Sequence, residues 1–79
     1  MQPITHATQV GATLQARRKT LKLSQTQVAE RLGLSQNRLS ELENNPQTMT
    51  IEQLLALLNA LGLEIGIRER DTRSSKVEW

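Results

Sequence analysis

Residues 24 to 43 read "SQTQVAERLGLSQNRLSELE", and the reading of this stretch decides the fold. Ser24 is placed to cap a helix, and Gln27, three residues on, reaches back to its backbone N–H in a reciprocal pairing that marks a helix start. The helix that begins at Gln25 carries Val28, Ala29 and Leu32 on one side. It runs to Gly33, where a residue without a β-carbon takes the left-handed conformation that ends a helix. Ser35 caps again at once, so another helix is expected over roughly 36 to 43, with Leu39 and Leu42 inward at i, i+3. Two helices crossing steeply after so short a turn need a small residue where their backbones approach, and Ala29 supplies it.

Outward from this pair, the pattern stays helical to about residue 61. A first helix is expected over roughly 7 to 20, with Val10, Leu14 and Leu21 near one face and Thr5 or Thr8 as its cap. After residue 43, "NNPQT" is a break. Thr50 and Gln53 form a second capping box ahead of "IEQLLALLNALG", whose apolar stripe is Ile51, Leu54, Leu55, Leu58 and Leu61. Gly62 ends that helix.

Past Gly62 the period changes to two, because "LEIGIRE" alternates Leu63, Ile65 and Ile67 with Glu64, Gly66 and Arg68. This predicts a strand over 63 to 69; a fifth helix competes, but Gly62, Gly66 and two β-branched residues in alternation favour the strand. No second strand is offered by the chain. The economical solution is a homodimer in which two such strands pair antiparallel about a two-fold axis, with Leu63, Ile65 and Ile67 covering the leucine-rich fourth helix. The expected fold class is therefore mostly α: four helices plus one C-terminal strand in a two-stranded sheet across a dimer. Residues 1 to 69 form the domain, and 70 to 79, "RDTRSSKVEW", are expected to be a flexible tail.

A chain of 79 residues with no cysteine must stabilise a small core without disulfides or thiolate metal sites. Oligomerisation fills that need. "MQPITHATQV" lacks the flank and apolar run of a signal peptide, and no segment is long and apolar enough for a membrane span, so a cytoplasmic location with no membrane partner is expected. The net charge is +2, but residues 1 to 49 hold six Lys or Arg against three acids, and residues 50 to 79 hold four against five. "ARRKTLK" suits phosphate contacts or, equally, complements a helix C-terminus. His6 has no second His and no nearby carboxylate. Nothing in the chain supports an enzyme, and no catalytic residue, metal, cofactor or small-molecule ligand is expected.

Taken together, Gln25, Ala29, Gly33 and Leu39, with Val28, Leu32, Leu34 and Leu42 inward, resemble the helix-turn-helix of the phage-repressor or Xre family, a lambda-repressor-like fold. The resemblance implies double-stranded operator DNA as partner and places Ser35, Gln36, Asn37, Arg38, Ser40 and Glu41 at the major groove. Gln36 and Asn37 suit the adenine edge, and Arg38 suits guanine or a phosphate. Glu41 either accepts from a cytosine amino group or repels phosphate. Gln25 matches a residue that meets the DNA backbone, with Thr26 and Asn44 as further phosphate candidates. Arg18 and Glu43 match a paired arginine and glutamate that tie the first helix to the motif.

"SQ" opening the second helix, "ENNP" closing the third and "EW" at the end are similar to the HipB-type antitoxins. That resemblance implies autorepression of a toxin-antitoxin operon and a complex with a HipA-type serine/threonine kinase toxin. Trp79, the sole aromatic residue, is the implied partner-binding anchor, with Lys76, Val77 and Glu78 as lesser contacts. A stand-alone phage-type or metabolic regulator and a protein-interaction module with weak DNA binding are the other readings.

Overall fold

Hydroxyl side chains start three of the four helices. In a computed structural model that describes residues 3 to 70, α1 spans Ala7–Thr20, α2 Gln25–Leu32, α3 Gln36–Asn44 and α4 Ile51–Ala60, with one 3₁₀ turn at Pro46–Thr48. Ser24 Oγ accepts from the Gln27 N–H at 3.0 Å while Gln27 Oε1 accepts from the Ser24 N–H at 2.8 Å. Thr50 and Gln53 repeat the arrangement at 3.0 and 2.9 Å. Ser35 Oγ accepts from the Arg38 N–H at 3.1 Å. These bonds satisfy amide groups that the first turn of a helix leaves without partners.

The start of α1 differs from expectation. His6 is the N-cap rather than Thr5 or Thr8. Gln9 holds this end, its Oε1 accepting from the backbone N–H groups of Thr5 at 2.6 Å and His6 at 2.9 Å. The Gln9 side chain thus ties the two residues that enter the helix to its first turn. At the other end of α1, Leu21 is exposed rather than on the inner face. Lys22 follows with φ of 59°, a left-handed residue that lets the Leu23 N–H return to the Arg18 carbonyl at 3.0 Å.

Gly33 ends α2 as expected, with φ of 69° and ψ of 27°. Beyond the turn α3 packs against α2, and Val28, Ala29, Leu39 and Leu42 become fully buried together with Leu14, Leu57 and Leu61. Each large side chain so buried contributes roughly 1.5–3 kcal/mol of transfer free energy. Gly11 of α1 lies against the carbonyl of Glu43, and a β-carbon there would overlap it. That glycine lets α1 approach the end of α3.

On α4 the buried face is turned from the expected one. Leu57 and Leu61 are at 1% exposure, whereas Ile51 is at 72% and Leu55 at 46%. The apolar stripe is wide enough to serve two surfaces: its Leu57 edge fills the core, and its Ile51 and Leu55 edge faces outward. Gly62, with φ of 69°, lets the Leu63 N–H bond back to the Leu58 carbonyl at 2.8 Å.

Residues 63 to 70 have no regular secondary structure, and no strand occurs among the described residues. The strand expected over 63 to 69 is thus not formed, and the described residues offer no second strand to pair with it. Ile65 is 57% exposed and Ile67 is 96% exposed, while Leu63 is partly buried beside the core. The expected tail and Trp79 fall almost wholly outside the described residues.

Candidate nucleic-acid interface

The outward face of α3 is set by the residues it buries. Leu39, Leu42 and Glu43 take the inner side, so at 3.6 residues per turn Asn37, Ser40, Glu41 and Asn44 lie opposite. Gln36 and Arg38 flank them on the two edges. Ser35, Gln36, Asn37, Glu41 and Asn44 are exposed, and Arg38 and Ser40 are half-buried. All the expected α3 positions therefore share one accessible, polar surface.

The two edges are built differently. On one, Arg38 Nη1 and Glu41 Oε1 form an ion pair within the helix, so the guanidinium is already partnered by a carboxylate. On the other, Gln36 Nε2 donates to Gln25 Oε1 at 2.5 Å, joining the start of α3 to the start of α2. Gln25 is half-buried; Thr26 beside it is exposed. Asn44 Nδ2 reaches Ser40 Oγ at 3.5 Å along the face. Gln25, Gln36, Ser40 and Asn44 are thus drawn together in pairs, while Thr26 and Asn37 stand out toward solvent.

Behind this face lies a buried charged pair. Arg18 Nε donates to Glu43 Oε2 at 2.8 Å and Nη2 to Oε1 at 3.2 Å, with both residues less than a tenth exposed. Arg18 Nη1 also donates to the Leu23 carbonyl at 3.0 Å. Gln25 Nε2 completes the carboxylate's shell at 3.0 Å. The pairing of Arg18 with Glu43 follows the family resemblance, but the link onward to Gln25 is a three-dimensional fact with no mark in the spacing.

The basic run "ARRKTLK" is largely committed to the fold. Arg18 is in the buried pair, and Arg17 Nε donates to the Leu61 carbonyl at 2.9 Å. Arg31 Nη1 approaches the Ala60 carbonyl at 3.4 Å. Two guanidinium groups therefore sit at the C-terminal end of α4, where the helix dipole and free carbonyls favour positive charge. Lys19 and Lys22 remain exposed.

A groove of about 530 Å³ lies on another side of the domain, bounded by Ile4 and Val10 near α1, Leu54 and Leu58 of α4, and Leu63 and Ile65. It is mainly apolar. Among the described residues no group of three or more His, Cys, Asp or Glu is placed to hold a metal ion, and no helix is long and apolar enough to cross a membrane.

A fold of this kind, with a glycine turn between two capped helices, defines a helix-turn-helix protein. The helix-turn-helix family model matches residues 14–67, and the chain belongs to that family. Two curated relatives come from Bacillus phage phi105. An immunity repressor protein is 36% identical over 56 residues, covering 71% of this chain and 39% of the relative. An ImmF control region 10 kDa protein is 38% identical over 53 residues, covering 63% of this chain and 59% of the relative. The chain thus spans less than two thirds of the length of either. No solved structure gives a significant match.

Proposed function

We propose that the protein is a sequence-specific DNA-binding repressor of the Xre and phage type, acting as a homodimer on an inverted-repeat operator. One observation carries this reading: the polar face of α3, with Gln36 held by Gln25 at the start of α2, on a helix-turn-helix that resembles an immunity repressor. Gln36 and Asn37 read bases, and Arg38 reads guanine or binds phosphate once Glu41 releases or shares it. Ser35 and Ser40 lie beside them, and Gln25, Thr26 and Asn44 contact the backbone and fix the register.

Dimerisation is supported by what the single chain leaves uncovered. Residues 63 to 69 have alternating apolar side chains and no strand partner among the described residues, and they border an apolar groove that Leu54 and Leu58 of α4 also line. Antiparallel pairing of two copies through Leu63, Ile65 and Ile67 provides the missing hydrogen bonds and shields these side chains. Half-sites are then about 34–36 Å apart, one turn of DNA.

The test is binding to the chain's own promoter region in an electrophoretic shift. The expected complex survives excess competitor DNA and weakens as salt is raised. Equal affinity for promoter and random duplex would overturn the reading.

A second reading, the HipB-type antitoxin, rests on "SQ", "ENNP" and "EW"; the phage relatives favour the stand-alone repressor over it. It requires a HipA-type kinase that co-purifies with the full chain and is held less well after Trp79→Ala. A Trp79→Ala chain that retains the kinase equally removes Trp79 as the anchor.

A further inference from the structure

A line of hydrogen bonds runs from the interior to the outer face of α3, and its direction is imposed by chemistry. A carboxylate accepts and cannot donate. Glu43, already receiving Arg18 Nε and Nη2, can take only the NH₂ end of Gln25, and Gln25 Nε2 lies 3.0 Å from Glu43 Oε1. This turns Gln25 Oε1 outward to accept from Gln36 Nε2. The NH₂ group of Gln36 is thereby fixed on the Gln25 side. Its carbonyl oxygen and one remaining N–H are left for a ligand, as one acceptor beside one donor. Adenine offers the complement, an N6 amino group beside the N7 acceptor.

We propose that Glu43 is a positioning residue that sets the base preference of Gln36 toward adenine, although it lies on the buried inner side of α3, away from the groove-facing surface. An unrestrained glutamine amide turns over and presents its two ends in either order. The Glu43 carboxylate at the head of the line removes that choice, and Arg18 holds it in place through two hydrogen bonds. The inference rests on the reading of Gln36 as a base-contacting residue and names the base that it reads and the reason.

The experiment is selection from a pool of random-sequence duplex DNA. The wild-type chain gives the preferred sequence, and Gln36→Ala marks the base pair that depends on Gln36. Two variants then cut the line. Arg18→Met with Glu43→Leu replaces the buried pair by apolar groups of similar volume, a change that folded proteins often tolerate. Gln25→Met cuts one residue further out and leaves the ion pair intact, so it decides the matter if the first variant does not fold. Adenine is expected at the marked base pair with a preference of about tenfold or more, the range of a good bidentate contact. Both variants should reduce that preference to about threefold or less; Gln25→Met also loses a contact to the DNA backbone and so binds every sequence more weakly, but the relative preferences at other base pairs persist in both variants. A loss of stability alone does not produce this pattern. A folded variant that keeps the full adenine preference, or a different base at the marked position in the wild-type selection, overturns the proposal while leaving sequence-specific binding standing. A wild-type chain that enriches no sequence overturns the DNA-binding reading itself, and the proposal with it.

Discussion

The α-carbon of Gly11 faces the main-chain carbonyl of Glu43 so closely that no β-carbon fits between them, and Pro46 Cγ closes the same space at 3.2 Å from where one would lie. In an open helix, glycine to alanine gains up to about 1 kcal/mol. Here the obstacle is backbone, so the sign reverses. Gly11→Ala should destabilise by about 1–3 kcal/mol or more through overpacking, read as a lower urea midpoint. An unchanged or higher midpoint would show that α1 does not pass so near the end of α3.

Removing one partner of the Arg18 and Glu43 pair strands the other charge in the interior. Arg18→Ala or Glu43→Ala should each cost about 3–5 kcal/mol in chemical denaturation. The double variant should cost clearly less than the sum of the two. Strict additivity in this cycle would mean that the two groups are not coupled.

The position of the buried face on α4 can be tested with two alanine substitutions. Leu57→Ala should cost about 2–5 kcal/mol because it opens a cavity in the core. Ile51→Ala should change stability by no more than about 0.5 kcal/mol, since Ile51 is exposed at the first turn. The reverse order would restore the stripe centred on Ile51.

Sedimentation should give a dimer at micromolar concentration. Ile65→Lys with Ile67→Lys should give a monomer that keeps the helical circular dichroism of α1 to α4, because neither side chain belongs to the core. A dimer that survives both substitutions places the contact elsewhere.

Gln36→Ala should weaken operator binding by about 1–3 kcal/mol while binding to random duplex changes little. A filter-binding comparison of the two DNAs reads this directly. Equal loss on both would make Gln36 a backbone contact.

The sequence reveals best what depends on near neighbours. Caps at Ser24, Ser35 and Thr50 each bond a residue three positions on, and the left-handed Gly33 follows from a missing β-carbon, so all four are legible locally. The inward set Val28, Ala29, Leu39 and Leu42 follows from periodicity. Failures occur where the deciding partner is distant. Gly11 has meaning only against Glu43, and Arg17 only against Leu61, 44 residues away. Leu57 is hidden within a stripe of leucines too wide for periodicity to say which edge turns inward. His6 takes the cap in place of the expected threonines, with Gln9 Oε1 accepting from both the backbone N–H and the hydroxyl of Thr5. Residues 63 to 69 carry the alternation of a strand, but the structure shows no strand there, because alternation alone supplies no hydrogen-bond partner. On the polar face, the residue types identified the surface, but the order in which Glu43, Gln25 and Gln36 connect is geometric and required the fold.

Arg17 and Arg31 meet at the carbonyl end of α4, where residues 63 to 70 leave the domain. The arginine of α1 and the arginine of α2 thereby clamp the point of departure from two directions. If the proposed dimer is joined through those departing residues, the two arginines set the angle at which each reading head leaves the joint, and the separation of the half-sites would then count in recognition alongside their sequence.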